Sequence, residues 1–241
     1  MSIATLPDAS PAADTHTSEA SGEARIAELS ELATHLLTSA EDERSILAKE
    51  LHDELGGLIT AAKMDMAWLS AHIGTSLDPA ADEKFRSVVQ MLNQAMTLKR
   101  RVVESLRPSL LDHFGLPVAL RSHLDENCSR AGLEYIATLP EETLDLAPAS
   151  QLALFRVAQE ALAGTLARGT AKHVELVIEP EGEGYSMLIG DDGGEFDVAM
   201  QRTLVGMRHR IRAAGGTLQA DCLPGGQGNR IRVYVPRSPA K

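Results

Sequence analysis

Between Gly22 and Gly74 the chain contains no proline, and its apolar residues recur at three- and four-residue steps: Ile46, Leu51, Leu55, Leu58, Ile59, Ala62, Met66, Leu69 and Ile73. That spacing lines one face of an α-helix and no other regular element. After Gly74–Pro79, which reads as a turn with proline near a new helix start, a second stripe runs through Phe85, Val88, Val89, Leu92, Met96, Val102 and Val103 to about Leu106. Two long amphipathic helices joined by a short loop form an antiparallel hairpin. A lone hairpin cannot bury both stripes, so we expect a homodimer in which two hairpins make a four-helix bundle.

Composition limits what else the chain can be. Its 241 residues suffice for two modest domains. Aromatic residues make up only 3%, so the core must be aliphatic. A net charge of -11 argues against nucleic acid or an anionic membrane as a general partner. The two cysteines, Cys128 and Cys222, are far apart and imply neither a disulfide framework nor a zinc site. No apolar run reaches the length of a membrane span, and residues 1–22 lack the basic start and apolar core of a secretory signal. We expect a cytoplasmic protein with a disordered leader at 1–22 and neither membrane anchor nor separate sensor domain.

Beyond Arg107-Pro108-Ser109, a connecting helical segment, broken at Gly115 and Pro117, reaches about Arg130. The texture then changes. Strands are expected at Leu133–Thr138, His173–Glu179, Tyr185–Gly190, Thr217–Cys222 and Arg230–Val235, with helices at Pro148–Arg168 and Val198–Ala214. Antiparallel strands with helices on one face make an α+β layer domain. The expected divisions are a leader at 1–22, a helical hairpin at 23–108, a connector at 109–130, a sandwich domain at 131–236 and a tail at 237–241.

The chemistry centres on Leu51-His52-Asp53-Glu54-Leu55-Gly56-Gly57. His52 falls beside the apolar stripe, so its imidazole should reach solvent, and Asp53 follows it directly. A solvated imidazole beside a carboxylate is a plausible nucleophile, since the acid orients the ring and favours its charged intermediate. An ordinary exposed histidine on a charged face is the bland alternative. Gly56 and Gly57 need a reason, because each costs roughly 1 kcal/mol against alanine inside a helix. Close approach of a partner backbone is one; a local bend is another.

Several stretches, taken in order, resemble the sensor histidine kinases of two-component signalling. The subclass is the one whose phosphoacceptor segment contains His-Asp-x-Leu-Gly, here His52 to Gly56 preceded by Arg44 and Glu50-Leu51. Glu104-Ser105-Leu106-Arg107-Pro108 resembles the exit from its hairpin. Phe155 to Leu162 resembles the opening of the asparagine box, Asp191-x-Gly193 the first glycine box, and Gly206-Met207-Arg208-x-Arg210 the helix after the nucleotide lid. The resemblance implies a helical hairpin followed by an α/β sandwich of the histidine kinase ATPase type. It also implies that His52 accepts a phosphoryl group with Asp53 as acid-base partner, and that Glu160 assists transfer. Asp191 would meet the adenine amino group, Gly193 would let the backbone approach the nucleotide, and Gly206 would follow the lid.

The sequence departs from that pattern in the nucleotide site. Gly164 stands where the magnesium-coordinating asparagine should be, and Glu195 replaces the second glycine of the first glycine box. Arg168 could still meet a phosphate. No metal ligand set is evident, and Mg-ATP is the implied cofactor only if this site functions. We therefore expect a phosphorelay protein whose His52 exchanges a phosphoryl group with the aspartate of a response-regulator receiver domain, with impaired ATP use. An upstream histidine kinase is a further candidate partner. The alternatives are a working cytosolic histidine kinase and a non-enzymatic dimeric binding partner.

Overall fold

The computed structural model describes residues 12–73, 78–226 and 228–238. Helix α1 spans Ala12–Glu50, a π-helical turn covers Leu51–Leu55, and α2 continues over Gly56–Ile73. The start at Ala12 corrects the expected leader. With Pro11 behind it, the stretch is rich in alanine and glutamate, strong helix formers that extend the helix backwards. Residues 1–11 of the leader, and positions 74–77 of the turn, lie outside the described residues.

Helix α3 spans Pro79–Leu106 and starts as its sequence predicts: the Asp78 carboxylate accepts from the Ala81 N–H at 2.8 Å, and Pro79 occupies the first turn. Helix α4, Ser109–Ala131, is broken at Gly115, whose φ of 80° and ψ of 176° are open to glycine and costly for other residues. It then restarts through Pro117, and its buried face (Leu116, Leu120, Leu124, Cys128) enters the core.

The second domain holds strands β1 (Glu134–Thr138), β2 (His173–Glu181), β3 (Gly184–Asp191), β4 (Thr217–Cys222) and β5 (Asn229–Pro236), with helices α5 (Pro148–Arg168) and α6 (Val198–Ala213). The strands form one sheet in the order β1-β2-β3-β5-β4. It is mixed, which corrects the all-antiparallel expectation: β1 runs parallel to β2, with Glu134 opposite His173. A parallel pair needs a crossover connection, and α5 supplies it. Period-two alternation buries Val174, Leu176 and Ile178 of β2 and Ile231, Val233 and Val235 of β5 on the helix side. They meet Phe155 and Leu162 of α5 and Met207 and Ile211 of α6 in one aliphatic core.

The hairpin differs. Much of its apolar stripe faces solvent in the single chain, with Leu58 69%, Ile46 59% and Met91 54% exposed, whereas Ile59 is 7% exposed. No helix among the described residues is long and apolar enough to cross a membrane.

One half-buried histidine couples this core to pH. His123 of α4 packs edge-on against Phe155, ring centroids 5.5 Å apart. Burial lowers its pKa to about 4; the Arg130 and Arg156 charges push the same way and Glu126 opposes them. The native state therefore excludes a proton that the unfolded chain takes up below its ordinary value. That penalty is absent above about pH 6.5 and grows as pH falls towards 4, so stability should drop by roughly 2–3 kcal/mol between about pH 7.5 and 4.5 from this group. Urea unfolding at the two pH values should show His123→Gln losing that share of the slope.

Candidate functional site

His52 and Asp53 lie on the π-helical turn, and both side chains are exposed, as expected for a nucleophile and its partner. A π turn is rare and accompanies functional sites disproportionately; periodicity gave no hint of it. Of the two glycines, Gly57 has no neighbour that a Cβ would touch, but Gly56 is buried. A Cβ on Gly56 would stand 2.9 Å from the Lys99 amine of α3. Within this chain, the close approach to Gly56 is made by a side chain of the same hairpin.

The second group of candidate residues surrounds Asp191 at the end of β3. Its Oδ2 accepts from the Thr165 hydroxyl at 2.8 Å and from Arg168 Nη2 at 2.6 Å. Its Oδ1 accepts from the Gly193 N–H at 2.9 Å and from Asn229 Nδ2 at 3.3 Å. A carboxylate offers about four acceptor positions, and all are taken by this chain. The Arg168–Asp191 pair is 8% and 7% exposed, and the Phe196 ring lies 5.9 Å from the guanidinium carbon. Arg168 thus meets the carboxylate expected to read adenine; its Nε and Nη1 have no hydrogen-bond partner among the described residues.

Gly164 sits one turn before Arg168 on α5. A Cβ there would meet Met200 Sδ at 2.9 Å and Arg168 Nη1 at 3.5 Å, so thioether and guanidinium occupy the side-chain space next to it. Gly193 is hemmed in by Asp191 Oδ1 and Thr170 Oγ1, each 2.9 Å from a Cβ position, so packing of the loop itself already demands glycine. Gly206 lies within α6 with nothing near its Cβ position. Glu160 pairs with Arg210 of α6 at 3.0 Å. Glu195 is exposed. Beside this cluster, the backbone N–H groups of His173 and Lys172 and the His173 ring hold the Asp192 carboxyl at about 2, although burial opposes them. The same carboxylate raises the pKa of the exposed His173.

Arg156 of α5, whose partners the sequence does not indicate, ties the hairpin to the sheet domain. Arg156, 2% exposed, donates from Nε (3.1 Å) and Nη2 (2.8 Å) to Glu41 Oε2 of α1. It also donates to the Ser105 carbonyl at 2.9 Å, the Leu106 carbonyl at 2.6 Å and Gln159 Oε1 at 2.7 Å. A guanidinium has five N–H groups, and all are used. Ser105 and Leu106 end α3, where helix carbonyls lack intrahelical donors, so Arg156 caps α3 while binding α1. The only sequence signal was a charge inside the apolar run Leu154-Phe155-Arg156-Val157-Ala158.

Residues 43–111 match the family described as histidine kinase, HisKA_3. The chain is 31% identical over 212 residues to the signal transduction histidine-protein kinase/phosphatase UhpB of Salmonella typhimurium, covering 86% of this chain and 41% of that protein. It is 30% identical over 203 residues to the sensor protein VraS of Staphylococcus aureus, covering 81% of this chain and 56% of VraS. Among solved structures, the blue-light activated histidine kinase EL346 of Erythrobacter litoralis aligns over 78% of this chain and 60% of its own, with 16% identity and a TM-score of 0.42. Residues 43–111 thus carry a histidine kinase segment of the HisKA_3 type, and most of the chain is similar to two-component sensor histidine kinases. The chain spans about half the length of the curated relatives it matches.

Proposed function

We propose that this protein is a dimeric phosphorelay component in which His52 carries a phosphoryl group exchanged with a receiver-domain aspartate, and that its own nucleotide site does not use Mg-ATP efficiently. The observation that carries the second half is the saturated Asp191 carboxylate. Four donors of the same chain fill it, and one of them is the buried Arg168. An adenine amino group would have to displace them. The residues also do not fit a magnesium ion: Gly164 has no ligand atom, and Arg168 Nη1 lies 3.5 Å from its Cβ position. A fixed cation at that place repels another, and phosphoryl transfer from a nucleotide rests on positioning and charge neutralisation. The exposed stripe of α1, α2 and α3 supports the dimer, because two such faces can bury each other.

The deciding experiment is calorimetry with Mg-ATP at millimolar concentration. Wild type should give no binding heat and no self-labelling. The double variant Gly164→Asn/Arg168→Ala should gain measurable binding, since it restores a side-chain ligand and frees one acceptor position of the Asp191 carboxylate, and the Met200 thioether can swing aside. Self-labelling of wild type from Mg-ATP would reverse the reading in favour of an active kinase. Sedimentation should report a dimer; a monomer would remove the four-helix bundle.

A further inference from the structure

Lys99 of the hairpin packs its stem beside the phosphoacceptor turn and has no counterion among the described residues. Lys99 of α3 is 9% exposed, and among the described residues no hydrogen bond or ion pair reaches its amine. Its position is set by Gly56: the side chain lies across the glycine, with Nζ 2.9 Å and Cδ 3.8 Å from the position a Cβ would take. Any larger residue at 56 would push the amine away. The packed stem of Lys99 could be replaced by an apolar side chain of similar length, and its amine contributes no contact to the fold among the described residues. The arrangement needs another reason than stability.

His52 supplies one. It stands four residues before Gly56, across the π turn, whose i→i+5 width leaves residues four apart nearly in line. Neighbouring turns put such positions about 5–6 Å apart. The Lys99 amine is therefore within electrostatic reach of a group carried on the His52 ring. The carboxylates nearest in sequence, Glu50, Asp53 and Glu54, are exposed, and none pairs with Lys99 among the described residues.

We propose that Lys99 is the electrostatic anchor for the phosphoryl group on His52. The proposal rests on the reading of His52 as phosphoryl carrier. In the step itself a ring nitrogen of neutral His52 uses its lone pair to form an N–P bond. The bond from phosphorus to the donor breaks, and its electron pair departs with the leaving group. For an aspartyl phosphate the leaving group is the carboxylate; for phosphoramidate it is ammonia. The ring proton then passes to Asp53 or water, leaving neutral phosphohistidine with a doubly charged phosphoryl group. Lys99 faces that charge and replaces part of its hydration with a fixed cation. Gly56 is the condition for this, since it alone leaves room for the amine.

The test uses phosphoramidate as donor, which needs neither nucleotide nor partner, and counts acid-labile phosphate on the full chain. Wild type should take label at His52. Lys99→Met should label about tenfold more slowly, in the range for a charge pair some 6 Å apart in a half-wet site, with a melting temperature equal to or above that of wild type. Lys99→Arg should stay within about threefold of wild type, because the charge remains in reach. Gly56→Ala should be slowed while its fold is kept. Equal labelling of Lys99→Met and wild type overturns the proposal. So does slow labelling accompanied by a lower melting temperature and no rescue by arginine, which would mark Lys99 as structural. If wild type takes no label at His52, the carrier reading itself falls and this proposal with it.

Discussion

Replacing His52 with glutamine should remove all acid-labile phosphate from the protein while leaving its unfolding free energy within about 0.5 kcal/mol of wild type. Both halves follow from where the residue stands. The side chain is exposed on the π turn and forms no hydrogen bond among the described residues, so its loss opens no cavity and strands no polar group. Glutamine keeps a polar, helix-compatible side chain but offers no nitrogen lone pair able to form a bond to phosphorus. Label carried instead by the exposed Asp53 would be told apart by base, which cleaves an acyl phosphate and leaves phosphohistidine intact. The measurement pairs labelling from a phosphorylated receiver domain with thermal melts of both proteins. Label persisting in the glutamine variant would move the carrier role elsewhere.

The largest effect on stability should come from Arg156→Ala, at roughly 3–5 kcal/mol, the cost of breaking a buried ion pair by removing one partner. For a chain of this size that corresponds to a melting temperature lower by roughly 6–20 °C. The reason is the number of groups stranded at once. Glu41 keeps only Arg44 as a partner, and the Ser105 and Leu106 carbonyls lose their guanidinium donor at the end of α3. Glu41→Gln should cost less, because glutamine still accepts hydrogen bonds and the Glu41 side chain is 19% exposed, although Arg156 then stays buried without a counterion. Arg156→Lys should fall between them, since an ammonium cannot span both the carboxylate and the helix end. Differential scanning calorimetry of the three variants orders them. A loss under about 2 °C for Arg156→Ala would show that packing, rather than this residue, holds the hairpin against the sheet domain.

Much of the architecture was legible in the residues. Helix α5 was expected at Pro148–Arg168 and β4 at Thr217–Cys222, and both occur there. The start of α3 at Asp78-Pro79 and the break at Gly115 were visible too. These features are local: an apolar period, a capping carboxylate and a glycine backbone each act within a few residues. The leader was misjudged from residue 12 onward because small polar residues among the alanines hid a helix-forming composition. The orientation of β1 was misjudged because alternation identifies a strand but says nothing of its direction.

The sites divide in the same way. Sequence alone determined that His52 and Asp53 stand together in the open, since adjacency on an amphipathic helix settles both. It also determined that Gly164 offers magnesium no ligand atom. Only the tertiary structure decided what the remaining charges do. Arg168 was expected as a possible phosphate contact and instead closes on Asp191, 23 positions away in sequence. Arg156 reaches 115 positions back to Glu41, and Lys99 of α3 lies over Gly56 of α2. A long cationic side chain has many possible partners, and none is marked by local spacing. Which one it takes depends on where burial leaves a carboxylate, a helix end or an open glycine within reach, and packing alone fixes that.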